Sequence, residues 1–384
     1  MKILFYYKYF PNIGGVERVI AVLANEFIRQ GHEVGIVSFC HNASISNYEI
    51  DKRVKLYYLP NNEILSCDEN IEDVCRIMKQ GSYQILFNHD SVSDSVGFVW
   101  KIRQRYPCKL VTLHHGAIFM NKKTFLDNLK HSKDIKHHLF YHFGVLAFIL
   151  KMCQVFLHHR SNIRKCDKYV CLCELYRKQL YCARKTKAIY NPLSYSSYLD
   201  ENEFENKENY VLFVGRLSEW HKRLTVMLDI WKKVSPKDWR LLIVGDGPDK
   251  KIIENYVEFN DVKNVYFEGF QQPESYYKKS KIFLMTSSVE GFPMSMSEAK
   301  QFGCVPIAMN SFGAIKECIK DGKDGFIVPN NDIDDFSCKL KKLIHQPSLL
   351  KKMAFTAIEN SKSRSASFIV GEWGKLFMQL INEE

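Results

Sequence analysis

The stretch NYVLFVGRLSEWHKRLTVMLDIWKKVSPKDWRLLIVGDGP, residues 209–248, decides the fold. It opens with a short apolar run, rich in Val and aromatic residues, that ends at a glycine, as a buried strand does. A segment with apolar residues at helical spacing follows, and a second apolar run then ends in another glycine turn. This strand–helix–strand order predicts a parallel sheet of the doubly wound α/β type.

The same alternation runs through most of the 384-residue chain. Earlier strands are marked by KILFYY, HEVGIVSF, YQILFNH and KLVTLHHG. We therefore predict two doubly wound, Rossmann-like domains that face a central cleft. The first covers residues 1–192, and the second covers residues 193–365 after a polar join that contains Pro192. Residues 366–384 are predicted to form a C-terminal helix that packs back on the first domain.

Cysteine usage and the N-terminus indicate the compartment. The 12 cysteines include no CxxC pair, and Cys171 and Cys173 belong to the apolar run YVCLC, which predicts a buried strand rather than a zinc site. Thiols used this freely favour a reducing cytosol. The N-terminus MKILFYYKYFPNIGG predicts a first strand rather than a signal peptide.

The net charge of +11 is concentrated in one segment. Residues 101–192 carry 19 Lys and Arg against 4 Asp and Glu, together with 8 of the 13 His. A concentrated positive field predicts a polyanionic partner, which leaves membrane headgroups, a phosphorylated lipid and a nucleic acid open.

The basic and apolar segment 118–168 interrupts the alternation. Its centre, HHLFYHFGVLAFILKMCQVFLHH at residues 137–159, is about as long as a membrane span. Three interpretations are open: a spanning helix, a helix buried against the sheet, and an interfacial helix on an anionic membrane. The third fits best, because basic residues flank the stretch and His142, Lys151 and Gln154 lie within it.

Glycine turns follow several predicted strands, where doubly wound sheets bind their ligands. Gly14 and Gly15 open a helix whose N-terminus favours a phosphate, although a Gly-Gly turn is more often an ordinary loop. The full GxGxxG spacing of a dinucleotide site is missing. The turn from Gly245 to Pro248 either meets a nucleotide or simply reverses the chain.

Two cations follow the strand that opens the quoted stretch. Arg216 comes directly after it, and Lys222 lies six residues further on. They fit a clamp for a diphosphate, but a pair of solvated surface charges is an equal alternative.

A pair of glutamates stands eight positions apart in SSVEGFPMSMSEAKQFGCVPI, residues 287–307. Glu290 precedes a predicted helix, and Glu298 lies inside its first turns. Negative charge at a helix start is stabilising, so capping is one explanation. The other is a polyhydroxylated, phosphorylated ligand.

Two further groups, of histidine and of aspartate residues, are candidates for chemistry. His114 and His115 in VTLHHG follow a strand of the first domain. A lone histidine normally has a structural role, but a strand-end histidine followed by glycine also fits a contact to a sugar hydroxyl or a leaving phosphate. Asp332 and Asp334 imitate a metal pair, but they open a helix, so N-capping is the better explanation. No metal site is predicted.

Together these stretches resemble family 4 glycosyltransferases, which have the GT-B architecture. The matching pieces are GGVERV, TLHHG, IYNPL, FVGRLSEWHKRL, IVGDGP, VYFEGF, SSVEGFPMSMSEAKQFGCVPIA and GFIVP, in this order. Three departures stand out. Pro293 removes one N–H donor, Arg223 replaces the glycine that often follows the lysine, and segment 118–168 has no counterpart.

The resemblance implies a role for each matching residue. Glu298 would hold the ribose hydroxyls, Glu290 would contact the donor sugar, and Arg216 and Lys222 would neutralise the leaving diphosphate. His114 would line the reaction centre. The implied donor-binding set also contains Gly15, Gly215, Gly245, Gly247, Phe270, Gly291, Phe292, Pro293 and Met294.

The implied activity is retaining transfer of a hexose or N-acetylhexosamine from a nucleotide diphosphate sugar, with UDP favoured and no cofactor or metal required. The basic segment suggests a lipid-linked glycan acceptor and a cytoplasmic enzyme, peripherally bound to the inner membrane face, in polysaccharide or lipopolysaccharide synthesis. No nucleic-acid partner is expected. Three alternatives stay open: a two-domain nucleotide-sugar epimerase, a non-catalytic membrane or nucleic-acid binding protein, and a nicotinamide-dependent oxidoreductase, which the missing fingerprint disfavours.

Overall fold

The chain folds into two compact units. The structure, a computed structural model, describes residues 1–40, 48–119 and 144–383. The N-terminal unit comprises Met1–Ser194 and Arg364–Glu384, and the C-terminal unit comprises Tyr195–Ser363.

The N-terminal unit contains a seven-stranded parallel sheet in the order β3-β2-β1-β4-β5-β6-β7. The strands are β1 (Lys2–Tyr6), β2 (Glu33–Ser38), β3 (Lys55–Tyr58), β4 (Ile85–Asn88), β5 (Lys109–His114), β6 (Lys168–Cys171) and β7 (Thr186–Ala188). The helices described before the C-terminal unit are α1 (Gly15–Arg29), α2 (Asp68–Gly81), α3 (Ser93–Arg105), α4 (Gly144–Lys165) and α5 (Glu174–Gln179).

The C-terminal unit contains a six-stranded parallel sheet in the order β10-β9-β8-β11-β12-β13. The strands are β8 (Tyr210–Val214), β9 (Arg240–Val244), β10 (Val265–Gly269), β11 (Ile282–Met285), β12 (Val305–Asn310) and β13 (Phe326–Pro329). The helices are α6 (Glu201–Glu205), α7 (Glu219–Lys222), α8 (Leu224–Val234), α9 (Lys250–Phe259), α10 (Glu274–Lys279), α11 (Met294–Gln301), α12 (Ile315–Cys318), α13 (Ile333–His345) and α14 (Pro347–Ser361).

The prediction of two doubly wound α/β domains is confirmed by these sheets. Central strands of parallel sheets are covered on both faces, which is why they are near-continuous apolar runs in the sequence. In β1, for example, Ile3, Leu4 and Phe5 have no exposed surface. In the C-terminal sheet the chain order reverses between β8 and β11, so the loops that follow these two strands diverge there and leave room for a ligand.

The last helix, α15 (Ala366–Asn382), belongs to the N-terminal unit. Its apolar face packs on α1 and on β4 through aromatic rings. Phe377 stacks on Phe27 with ring centroids 5.9 Å apart, and Trp373 lies 4.5 Å from Phe87. These aromatic contacts hold α15 against the sheet.

Two local predictions can be compared directly with the structure. Asp332 caps α13 by accepting a hydrogen bond from the N–H of Asp335 at 2.9 Å, so the N-capping interpretation is confirmed. The helical segment expected after the first strand of the quoted stretch is confirmed as α8, which starts at Leu224. A separate short helix, α7, precedes it and ends at Lys222, and Arg223 between the two has the left-handed values φ 50 and ψ 53. A left-handed residue interrupts the helical hydrogen-bond series, so Lys222 ends a short helix rather than starting a long one.

The C-terminal part of the basic and apolar segment forms α4. Residues 120–143 of the basic and apolar segment, which include 137–143 of its apolar stretch, lie outside the described residues. Across the described ranges, no helix combines the length and the apolar character that crossing a bilayer requires.

Candidate active site

Lys222 and Glu290 form an ion pair at the carboxyl end of the C-terminal sheet. The Lys222 Nζ lies 2.5 Å from the Glu290 Oε1, and the two side chains are only 19% and 15% exposed. Lys222 ends the helix that follows β8, whereas Glu290 lies in the loop that follows β11. Because β8 and β11 are neighbours at the reversal of chain order, two residues distant in sequence meet where such sheets bind ligands.

Arg216 adds a second positive charge to the same loop. It is exposed, and within the described parts of the chain its guanidinium makes no side-chain hydrogen bond or ion pair. Burial lowers the pKa of His221, and the charges of Lys222 and Arg216 lower it further, while Glu290 acts in the opposite direction. The positive field of both cations therefore reaches one imidazole, and a diphosphate fits such a field.

Gly245 and Gly247 bring the loop after β9 against the loop after β8. A Cβ on Gly245, whose φ is +142, would lie 1.9 Å from the Gly215 carbonyl oxygen, and a Cβ on Gly247 would lie 2.3 Å from that of Leu217. Only glycine permits this approach. The Gly245 N–H donates to the Gly269 carbonyl at 2.7 Å, which joins the loop after β10 as well.

Gly215 lies directly beside the ion pair. A Cβ placed on it would be 3.6 Å from the Lys222 Cε and 3.3 Å from the Phe213 ring. The loops after β8, β9 and β10 thus meet beside Lys222. The structure brings together Gly215, Arg216, Lys222, Gly245 and Gly247, all of which were predicted site residues.

Glu298 lies inside α11 and is fully buried, with 0% exposure. Its Oε2 accepts a hydrogen bond from the Tyr277 hydroxyl at 3.0 Å. Since α11 begins at Met294 with Pro293 as its N-cap, the two glutamates flank the helix start, with Glu290 before it and Glu298 in its second turn. The contacts that define them lie elsewhere in the fold: Glu290 pairs with Lys222, and Glu298 accepts the Tyr277 hydroxyl.

The remaining predicted donor-binding residues of the C-terminal unit surround this helix start or lie on a separate strand end. Gly291 is half-buried in the loop before the helix, and the Phe292 ring is buried. Pro293 has no N–H, so the backbone donors of the first turn, which have no partner within the helix, begin at Met294. Phe270 follows β10, two strands away from β8, and its side chain is half exposed.

Gly15 is the first residue of α1 in the N-terminal unit, and a Cβ there would meet nothing within 4 Å. The preceding Gly14 is constrained instead: a Cβ there would overlap the Glu17 carboxylate. Glu17 is buried, and burial raises the pKa of its carboxyl group. Sequence reasoning gave Glu17 no role, although its position in GGVERV was a signal.

His114 ends β5, and both of its ring nitrogens have partners within the unit. Nδ1 lies 2.7 Å from the Ser91 Oγ, and Nε2 lies 3.4 Å from the Ala117 carbonyl oxygen. Burial lowers the pKa of His114 to about 4, with a smaller lowering from His115 and His158. A neutral imidazole with these bonds is held in one orientation.

His115 pairs with a histidine that sequence reasoning missed. Its Nε2 lies 3.3 Å from the Nδ1 of His89, which follows β4 and is 2% exposed. Burial lowers the pKa of His115 to about 3 and that of His89 well below its usual value. The buried Nε2 of His89 has no hydrogen-bond partner among the described residues. The only sequence signal was the strand-end position of NH in ILFNH.

No three His, Cys, Asp or Glu side chains in residues 1–40, 48–119 and 144–383 are grouped so as to hold a metal ion. The expectation that the reaction requires no metal stays a prediction.

Two family models together match nearly the whole chain. The model described as "Glycosyltransferase Family 4" matches residues 13–194, and the model described as "Glycosyl transferases group 1" matches residues 196–362. The two matches divide at nearly the same place as the two structural units.

Three similar proteins match over nearly their full length. The GalNAc-alpha-(1->4)-GalNAc-alpha-(1->3)-diNAcBac-PP-undecaprenol alpha-1,4-N-acetyl-D-galactosaminyltransferase of Campylobacter jejuni is 23% identical, over 97% of this chain and 97% of its own. Two solved structures share the fold. A lipopolysaccharide outer core galactosyltransferase, WaaB, has a TM-score of 0.70 at 21% identity, covering 99% of this chain and 100% of its own. Anabaena HepE in complex with UDP-glucose has a TM-score of 0.73 at 15% identity, covering 99% and 100%.

Proposed function

Because the chain belongs to glycosyltransferase family 4, we propose that it moves a hexose or N-acetylhexosamine from a UDP-sugar to a lipid-linked glycan, with retention of anomeric configuration. The observation that carries the proposal is the Lys222–Glu290 pair beside the start of α11. It brings a cation, a carboxylate and the backbone N–H groups of a helix start to one strand-end position.

The chemistry follows from where charge develops. Breaking the bond between sugar and diphosphate builds negative charge on the leaving phosphates and positive charge on the sugar ring. Lys222 is held in advance by its pair with Glu290, Arg216 adds a second cation on the same loop, and the N-terminus of α11 adds its partial positive charge. Glu290 orients Lys222 and accepts hydrogen bonds from sugar hydroxyls. The ribose contact of Glu298 stays a prediction, because its carboxylate is fully buried and bonded to Tyr277 in this structure. The roles of His114 and Gly15 stay predictions.

The donor and acceptor classes rest on similar proteins. The Campylobacter jejuni relative is named for an undecaprenol-PP-linked substrate, and HepE was solved with UDP-glucose. We therefore propose a UDP-sugar as donor and a polyprenyl-diphosphate-linked saccharide as acceptor, in cell-surface polysaccharide or lipopolysaccharide synthesis.

A thermal-shift panel of UDP-, GDP- and ADP-sugars tests the donor. We expect a UDP-sugar at about 100 times its Kd to stabilise the protein by about 2.7 kcal/mol, and to raise Tm by roughly 5 to 10 °C. Glu298→Gln should reduce this shift to less than about a third, since it removes the buried carboxylate proposed for the ribose. The matched control, Glu258→Gln on the exposed face of α9, should keep the full shift.

The reaction class is then read from UDP release with and without a polyprenyl-diphosphate-linked saccharide. A transferase releases UDP rapidly only with the acceptor, whereas an epimerase converts the donor sugar without it. If no nucleotide sugar shifts Tm and none is consumed, the proposed function is wrong.

We further propose that α4 lies on an anionic membrane surface. Leu146, Ile149, Leu150 and Leu157 recur at helical spacing and are exposed by 56%, 51%, 58% and 63%. Arg160 and Arg164 continue the same exposed face toward the C-terminus of α4, and the helix contains no acidic residue. An apolar stripe continued by cations fits the boundary between acyl chains and anionic headgroups, which would place the enzyme at the inner, cytoplasmic face of the membrane.

Vesicle co-sedimentation tests this surface. We expect the protein to bind phosphatidylglycerol-containing vesicles more tightly than neutral phosphatidylcholine vesicles, and binding should weaken as salt rises. The double variant Leu146→Ser/Leu150→Ser should lose at least about 10-fold in partitioning, since two leucines leave the interface. Ile252→Ser, which removes a 59%-exposed aliphatic side chain from α9, is the control and should change nothing. Equal binding of the double variant and the control would exclude α4 as the membrane surface.

A further inference from the structure

Arg223 occupies a backbone conformation that favours glycine. Its φ of 50 and ψ of 53 lie in the left-handed region, between α7 and α8. Such positions persist in larger residues only where surrounding contacts hold them.

The guanidinium of Arg223 binds the backbone of the loop that leads to Glu290. Nε donates to the Thr286 carbonyl oxygen at 2.6 Å, and Nη2 donates to that of Ser287 at 2.9 Å. Nη1 donates to the Asn331 side chain in the loop after β13. One planar group thus joins the loop after β8 to the strand ends of β11 and β13.

The loop after β11 returns hydrogen bonds to the same turn. The Thr286 hydroxyl donates to the carbonyl oxygens of Lys222 and Arg223 at 2.8 and 3.0 Å. The Ser288 N–H donates to the His221 carbonyl oxygen at 2.8 Å. Thr286 has no exposed surface, so these bonds are shielded from water. The turn and the loop are connected in both directions immediately before the Lys222–Glu290 pair.

We propose that Arg223 is a positioning residue, which fixes Lys222 relative to Glu290 for stabilisation of the leaving diphosphate. The proposal rests on the proposed function. Arg223 itself touches neither reactant. Its hydrogen bonds to the Thr286 and Ser287 carbonyl oxygens add to the Thr286 and Ser288 bonds that set the relative position of a cation and a carboxylate. Small displacements of such groups reduce turnover strongly.

Arg223→Gly tests the role with little backbone cost, because glycine adopts the left-handed conformation without strain. We expect kcat for UDP release to fall about 10- to 100-fold, while KM for the donor changes less than about threefold and the donor-induced rise in Tm persists. Arg223→Lys keeps the charge but not the planar guanidinium, so its kcat should lie between those of Arg223→Gly and the wild type.

Ser235→Gly is the matched control. Ser235 also has left-handed values, φ 43 and ψ 55, at the end of α8, and its replacement should leave kcat unchanged. If Arg223→Gly does not fold, Thr286→Val removes the returning hydrogen bonds at nearly equal volume and should show a smaller, equally kcat-selective loss. The proposal is overturned if the wild type is active and the kcat of Arg223→Gly, or of Thr286→Val, stays within twofold of the wild-type value. A wild type without activity overturns the proposed function instead.

Discussion

Lys222→Ala is expected to lower kcat for UDP release by about 10²- to 10³-fold, the usual cost of removing one preorganised group that stabilises transition-state charge. The loss has two physical parts. The leaving diphosphate loses a cation, and the Glu290 carboxylate, 2.5 Å from the Lys222 Nζ in the wild type, is left to repel the phosphates. Release is measured from the UDP-sugar with the largest thermal shift, with the lipid-linked saccharide and with water as acceptor.

Glu290→Gln and the double variant separate these parts. Since Lys222 and Glu290 act as one unit, the double variant should be no slower than the slower single variant. Lys232→Ala removes an exposed lysine from α8 and serves as the control, with kcat expected within twofold of the wild type. Additive losses in the double variant, or a Lys222→Ala enzyme as fast as the control, would contradict a joint role at the leaving group.

The fold was accessible to sequence reasoning because its strands are buried on both faces and its glycine turns are local. Leu241 and Ile243 in β9, for instance, have no exposed surface. Both belong to a short apolar run that ends at a glycine, which is the pattern of a strand covered on both faces. The short helix α7 and the left-handed turn that ends it were not accessible. Arg223 looks like an ordinary helix former, and only its hydrogen bonds to the loop after β11 place it in the left-handed region.

The candidate site was partly accessible for the same reason. Glu290, Glu298 and Lys222 belong to local motifs, and parallel strands deliver their ends to one edge of the sheet. What sequence reasoning could not supply was the partner of each group. The bond from Tyr277 to Glu298 and the His89–His115 contact join residues that are far apart along the chain, and no local spacing indicates such pairs.

Asp324→Ala is expected to destabilise the C-terminal unit by about 3 to 5 kcal/mol, because it leaves the Lys300 ammonium buried without its carboxylate. The Lys300 Nζ lies 2.9 Å from the Asp324 Oδ2, and the two side chains are only 4% and 1% exposed. Lys300 also donates to the Cys318 carbonyl oxygen at 2.6 Å, which fixes α11 to the end of α12. Urea unfolding, read as the midpoint at constant m-value, measures the change.

The same pair anchors the helix that carries Glu298, so its loss also reaches the donor site. Lys300→Met/Asp324→Leu, which replaces both charges with apolar groups, should cost less than Asp324→Ala alone. The control is Asp334→Ala, which breaks the exposed pair with Lys233 and should change stability by less than about 1 kcal/mol. If Asp324→Ala costs no more than this control, the buried pair does not hold α11. In that case the donor should raise the Tm of Asp324→Ala by as much as it raises that of the wild type. If the pair does anchor α11, the donor-induced rise in Tm should be smaller in Asp324→Ala.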